Sequence, residues 1–360
     1  MHPRASSILR LGVWLGCLLT LAAHGQTPPV HTQRNNAHLA LSPVIIAERP
    51  DAVEGYDVYA AQVKQMLNHC LQVLASATDV GTAWTRLGIR PDDIVGIKIT
   101  TGNGPNLSTH PALVKAICDG LQAAGLPRSH VIIWDKFSDK MRPAGYALRS
   151  ASDQQAAIDS IVPNNYDPDV YYSNGMIGQL IWGDYQFNNS INRMTFDPDL
   201  LRRSYYTKFF TSVCTKVINV PVLAHNETFG IEGCISSIAL GSTDNNLRFQ
   251  GPPTYGDPMI DEMYDQSFIR RKVVVHILDA MVAQCAGAPT FNPLFCRSFG
   301  AIYVGRDPVA IDSLALPRLE RMRREMNVPT VGNMSTYLTS ASVLGLGTTD
   351  RHRIQFLRVP

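Results

Sequence analysis

The chain has no Cys-x-x-Cys pair, and none of its seven cysteines stands at the Cys/His spacing of a zinc or iron–sulfur site. An electron carrier built on a cluster is therefore not indicated, and no iron–sulfur cluster is expected. Charge of one sign is missing too. With 32 Lys and Arg against 30 Asp and Glu, the formal charge is +2. The basic residues are scattered apart from Arg318–Arg324, which suits the solvated face of a helix. Nothing in that balance calls for a nucleic-acid partner. No apolar run reaches the roughly 20 residues that cross a bilayer, and no fixed-period repeat points to a solenoid or propeller. The Walker ending of a nucleotide loop is also absent.

What is present begins with a targeting pattern. Arg4 and Arg10 precede the apolar run Leu11–Ala23, and Ala23-His24-Gly25 offers small residues where a signal peptidase reads. The expectation is a signal peptide over 1–25, a flexible lead-in over 26–40, and an exported, periplasmic or secreted protein with no stable membrane insertion after cleavage. An uncleaved anchor is the alternative. Loss of Cys17 with the signal leaves six cysteines, of which Cys285 and Cys296 bracket a Gly/Pro-rich loop and form the candidate disulfide. Buried free thiols are the competing reading.

The remaining residues, 41–360, read as a single α/β domain: a mostly parallel sheet flanked by helices, with an irregular Asn/Tyr-rich elaboration at 137–210. At 45% apolar and 17% charged, the chain has the composition of a globular protein with a sizeable core. Tyr56–Ala77 has apolar residues at helical spacing. Ile94–Ile99 reads as a strand ending near Lys98. A Gly/Asn/Thr loop leads from it into a helix opening at Thr109-His110-Pro111, and a second strand ends on Asp135. Strand, loop, helix, strand is the unit that forces a parallel pair with a right-handed crossover. Further strands are expected at Lys216–Leu223, Arg271–Leu278 and Ala301–Val304. Asp307-Pro308 has the cap and first-turn chemistry that opens a helix over Val309–Met326.

In a parallel sheet the strand ends share one edge, where open α/β folds bind ligands. Lys98, Asp135, the His225/Glu227 turn, Asp279 and Arg306/Asp307 would then converge. Lys98, His225, Glu227 and Asp279 are the catalytic candidates, combining a cation, an imidazole and carboxylates for acid–base work. Thr101, Gly102, Asn103, Gly104, Thr109 and His110 are the ligand-binding candidates, because a glycine-rich loop before a helix start offers backbone N–H groups to an anion. Asp135, His225, Glu232 and Asp307 form a mixed imidazole/carboxylate set for a divalent metal, although without diagnostic spacing.

Taken together, GIKITTGNGPNLSTHPALVKAI…VIIWD, VINVPVLAHNETFGIEG, GDPMIDEMY, VVHILDAM and IYVGRDPVAIDSLAL resemble, in order, the domain of unknown function family 362. The resemblance implies an α/β fold and no established activity. It gives Lys98, Thr109-His110-Pro111, Asp135, Asp257-Pro258, Asp279, Asp307-Pro308 and Asp312 like residues in the family pattern. The chain departs from that pattern after VPVL. Ala224 stands where a lysine is usual, and Asn226 stands where a histidine is usual. Glu232 and Ser236-Ser237 replace a threonine and a lysine-asparagine. Two cations are thus missing from the presumed site, and carboxylates are added.

Two readings stay open. One is an enzyme acting on a small anionic metabolite, with a divalent metal as the candidate cofactor. The other is a non-catalytic ligand-binding or interaction protein with a degenerate site. A small-molecule ligand is expected in both, and the oligomeric state is left open.

Overall fold

The computed structural model describes residues 41–148, 155–161, 165–177, 186, 197–332 and 334–360. The expected signal peptide and lead-in, and much of the 137–210 elaboration, lie outside the described residues. Fourteen strands are described: β1 (Ser42–Glu48), β2 (Val53–Glu54), β3 (Asp57–Val58), β4 (Val95–Ile99), β5 (Val131–Asp135), β6 (Ala157–Ser160), β7 (Tyr166–Ser173), β8 (Arg203–Thr207), β9 (Lys216–Val220), β10 (Val222–Asn226), β11 (Gly230–Glu232), β12 (Val273–Gln284), β13 (Cys296–Gly305) and β14 (Ile354–Val359). The described α-helices are α1 (Ala60–Leu74), α2 (Val80–Arg86), α3 (Pro111–Ala123), α4 (Ser138–Met141), α5 (Pro198–Leu201), α6 (Cys234–Ala239), α7 (Met259–Tyr264), α8 (Ser267–Lys272), α9 (Pro308–Glu325) and α10 (Tyr337–Val343).

Ten of the strands form one sheet in the order β14-β1-β13-β12-β9-β4-β5-β6, with β10 and β11 attached to the far part of β12. The pairs β12·β9, β9·β4, β4·β5 and β5·β6 are parallel. This is the mostly parallel α/β sheet that the sequence pattern implies. Strand alternation sends successive side chains to opposite faces. Ile97, Ile99, Ile133, Ile218 and Val220 pack with α1, α2 and α3 on one face. Trp134 and Val217 pack with α6, α7, α9 and α10 on the other. Helix α1 meets the sheet through Val63, Met66, Leu67, Cys70 and Leu71, one apolar stripe at helical spacing. Helix α3 opens with Pro111 at its first turn, and Gly125 follows its last turn at φ +86°.

Three expectations about the strands are corrected. The Lys216–Leu223 run is two strands rather than one, broken at Pro221, which has no N–H to give a ladder. Arg271 and Lys272 end helix α8, so the next strand starts at Val273, runs to Gln284, and carries Asp279 in its middle. Finally, β13 runs antiparallel to both β12 and β1, with Gly305 opposite His276 and Val44. Its carboxyl end therefore lies at the opposite edge from those of β4 and β5. Strands β1 and β14, which close the β13 side of the sheet, are not foreseen by the sequence pattern.

All six described cysteines are free and buried. Cys296 lies opposite Gln284 in the ladder and donates to its side-chain oxygen, while Cys285 packs toward Met326 of the flanking segment after α9. The candidate pair is thus close in the ladder but divided between the two faces of the sheet.

Candidate ligand-binding site

A cavity of about 330 Å³ opens at the carboxyl ends of β4 and β5, roofed by the β10–β11 hairpin and α6. Lys98 forms its floor. It stands between Ile97 and Ile99 on β4, so alternation turns it to the α6 face, away from α1–α3. Its side chain is 2% exposed and its ammonium lies 2.8 Å from Asp135 Oδ1, at the end of the adjacent strand. It donates a second hydrogen bond to the carbonyl of Ile99. An ammonium has three donors, which leaves one for the cavity. Gly241 makes room for this side chain: a Cβ there would stand 2.7 Å from Lys98 Cε and 2.8 Å from Nζ.

Asp135 is held from a second side. Its Oδ2 accepts from the backbone N–H and the hydroxyl of Thr101, each at 2.7 Å. The glycine-rich loop is therefore tied down at its start by the carboxylate of the neighbouring strand. Gly102 and Asn103 line the cavity beyond that tie.

Glu232 faces this floor from the hairpin. Asn226 donates to its Oε1 at 2.9 Å, and Asn103 donates to its Oε2. Asn226 is fixed in turn, its Oδ1 accepting from the backbone N–H and hydroxyl of Thr228 at 2.9 and 2.6 Å. Burial raises the Glu232 pKa from its ordinary value. The two amide donors and the Lys98 charge oppose that shift, and Asp135 adds to it. A carboxyl group whose pKa is raised by burial beside an ammonium is of the type that can exchange a proton with a ligand. Lys136 and Lys140 line the same cavity near the half-exposed ring of Phe137.

A buried polar chain runs from the cavity wall into the core. The Thr100 hydroxyl lies 3.3 Å from that of Ser237, which donates to Asn219 Oδ1 at 3.1 Å. Asn219 Nδ2 reaches His276 Nδ1 at 3.0 Å, and Tyr264 meets His276 Nε2 at 3.1 Å. Burial pushes His276 down to about 3. The ring is neutral, and the chain is one of neutral hydrogen bonds rather than charges.

The other sequence candidates fall elsewhere. Asp279 is fully buried on the α1–α3 face, where its Oδ2 accepts from the backbone N–H of His110 at 2.9 Å and lies 2.8 Å from His110 Nδ1. Burial lowers the His110 pKa, but the charge and hydrogen bond of Asp279 outweigh it and raise the value. Thr109 donates to the carbonyl of Val220 at 2.6 Å and accepts from Thr100 N–H. Thr109, His110 and Asp279 therefore fasten α3 to the sheet rather than face the cavity. Gly104 lies beyond the lining, at the turn into Pro105.

His225 points to the face of β10 opposite Asn226. It is 1% exposed, neither ring nitrogen has a hydrogen-bond partner among the described residues, and burial, with the nearby Arg323 charge, pushes it down to about 4. Glu227 is 52% exposed in its side chain, 3.5 Å from His225 and outside the cavity lining. Asp307 sits at the opposite sheet edge as the cap of α9, accepting from Ala310 N–H at 2.8 Å and from Ser42 and Thr348. Asp312 is the buried cap of α6, accepting from Cys234 and Ile235 N–H, and burial pushes it up to about 7.

Of the metal candidates only Asp135 and Glu232 share the cavity, and Asp135 is already held by Lys98 and Thr101. No group of three or more His, Cys, Asp or Glu able to hold a metal ion occurs among the described residues. The sequence pattern singles out Asn226 and Ser237 only as departures from the family pattern, with no site role, and does not point to Lys136 and Lys140. The first had an available signal: with 222–232 taken as a hairpin, alternation puts Asn226 and Glu232 on one face and His225 on the other.

The sequence profile of the family described as Domain of unknown function (DUF362) matches residues 200–317. The resemblance seen in the sequence is thus borne out across β8 to β13 and into α9, the span that carries Asn226 and Glu232. A solved crystal structure of a Thermotoga maritima protein is similar at 10% identity and a TM-score of 0.42, over 77% of this chain and 61% of that one. The chain accordingly spans less than two thirds of that protein's length. No curated protein matches the chain in sequence.

Proposed function

We propose that the cavity takes one small organic anion, a carboxylate or phosphate ester, and that Glu232 exchanges a proton with it. The observation that carries this reading is the placement of the Glu232 carboxyl, pinned by Asn103 and Asn226, in one cavity with the Lys98 ammonium. Lys98 has a donor to spare for a negative group, and Lys136 and Lys140 add positive charge along the same lining. At about 330 Å³ the cavity sits at the small end of ligand sites. That volume suits a metabolite better than a dinucleotide. Asp135 serves as a positioning residue: it holds Lys98 through Oδ1 and the start of the glycine-rich loop through Oδ2. The divalent-metal reading is not carried forward, since only Asp135 and Glu232 of its four donors share the cavity.

The test is a thermal-shift and calorimetric screen of small organic acids and sugar phosphates across pH. Binding stabilises the folded state in proportion to ligand concentration over Kd. As pH rises through the raised Glu232 pKa, the carboxyl gains charge and repels an anion, so affinity should fall. Glu232→Gln should bind and show no such fall, and should lose any turnover that the screen reveals. If no anion binds, or if Glu232→Gln keeps the full pH dependence, the proposal is wrong. Binding with unchanged pH dependence in both forms would leave the site a passive receptor.

A further inference from the structure

A second concavity of about 380 Å³ lies on the α9 face of the sheet, between α9 and the edge strand β14, and shares no lining residue with the first. Its walls follow from register. Ile46 of β1 lies beside Tyr303 of β13 and Arg358 of β14, and Val44 lies beside Phe356. Those side chains therefore project from the same face as Glu48, two residues along β1 from Ile46. Helix α9 lies over part of that face and presents Leu314, Pro317, Arg318 and Arg321, spaced as one helical stripe. Arg351 enters from the turn before β14.

Four arginines from three separate segments thus surround one hollow, with a single carboxylate among them. That carboxylate is already taken: Arg318 pairs with Glu48 at 2.6 Å and stacks on Phe299 at 4.1 Å. Arg321, Arg351 and Arg358 are exposed and have no acidic partner among the described residues. In a chain of net charge +2 such an excess is local. Like charges around a concave, partly apolar surface repel one another until a counter-charge enters. Arginine forks match phosphate and carboxylate oxygens in pairs, and an arginine on a convex helix face would have no such convergence. The floor also keeps apolar area open, with Phe356 54% exposed.

We propose that this hollow binds a small oligo-anion, a ligand bearing two or more phosphoryl or carboxylate groups. Arg321, Arg351 and Arg358 grip its charges, and the Phe356 and Tyr303 rings lie under its organic part. This site acts independently of Glu232 and Lys98.

The test is titration calorimetry of the full chain with inorganic pyrophosphate and, separately, with citrate, at low and at raised salt. At least one should bind with one-to-one stoichiometry and weaken as salt rises. Arg321→Gln/Arg358→Gln should lower that affinity at least tenfold with an unchanged melting temperature, since both side chains are exposed. Glu232→Gln should leave it unchanged. A preference for pyrophosphate would assign phosphoryl ligands, and a preference for citrate polycarboxylates. If neither probe binds, or the double variant binds as well as the parent, the site does not exist. A loss in Glu232→Gln equal to that in the arginine variant would place the anion in the first cavity and likewise overturn the proposal.

Discussion

Replacing Lys98 by Met removes the positive half of a pair whose side chains are 2% and 9% exposed and 2.8 Å apart. The Asp135 carboxylate would keep the N–H and hydroxyl of Thr101 but lose its counter-charge. Breaking a buried pair from one side costs about 3–5 kcal/mol, and the two remaining donors set the expectation at the low end, about 3 kcal/mol. For a domain of this size that is a fall of roughly 4–5 °C in Tm. Asp135→Asn should cost a similar amount, because the ammonium is then left with the Ile99 carbonyl and an amide. The double variant Lys98→Met/Asp135→Asn should cost less than either single change, since no unpaired charge remains, giving a coupling of at least about 3 kcal/mol. The assay is denaturant unfolding of the four proteins, joined to a carboxyl NMR titration of Glu232. Lys98 lowers the Glu232 pKa and Asp135 raises it, so Lys98→Met should move the titration up and Asp135→Asn should move it down. Additive single costs below about 1 kcal/mol, with Glu232 unmoved in both, would refute the picture of a desolvated cavity floor.

Asp261 is wholly buried on α7 with neither carboxylate oxygen hydrogen-bonded among the described residues, and burial, aided by Asp257 and Glu262, pushes it up to about 8. A raised folded pKa means its contribution is complete below about pH 4 and lost by about pH 8, a decline of about 4 kcal/mol by pH 7. Denaturant unfolding across pH should show this slope in the parent and a flatter one in Asp261→Asn, and equal slopes would exclude it. Ala224→Lys should place an ammonium opposite Glu232 in the hairpin register, lower the Glu232 pKa and abolish the pH-dependent fall in anion affinity. Calorimetry at two pH values reads the effect, and an undiminished fall would show that Glu232 is not its source.

The parts of the fold legible in the sequence were those written in local pattern. The β4–α3–β5 unit follows from two apolar runs, a Gly/Asn loop and Pro111, all within forty or so residues. Lys98 and Asp135 were legible for the same reason, since each ends such a run. Strand direction was not legible. Nothing in Ala301–Val304 says that its strand turns back against β12, so Asp307 was assigned to the wrong edge. Side-chain face was legible in principle and missed in practice. His225 and Glu227 alternate with Asn226, so His225 and Asn226 could not both face one cavity. His110 and Asp279 looked like chemistry because they are polar and stand at element ends. Their use is to satisfy one another and fasten a helix start, a need that every buried polar group has.

The departures from the family pattern acquire a common physical meaning once the hairpin is in place. Ala224 and Glu232 are direct partners across β10 and β11, and Asn226 lies diagonally from Glu232 on the same face. A lysine at 224 would lower the pKa of a carboxylate at 232, so the alanine leaves the burial-raised pKa of Glu232 uncompensated from that side. Ser237, where the pattern has an asparagine, hands a hydroxyl to Asn219 and thence to His276. Charge at this wall has been exchanged for neutral hydrogen bonds and one protonatable carboxyl, while the Lys98–Asp135 pair beneath is retained. If the proposed anion binds there, Lys98 is the cation left to hold it, and Glu232 is the group whose charge varies with pH.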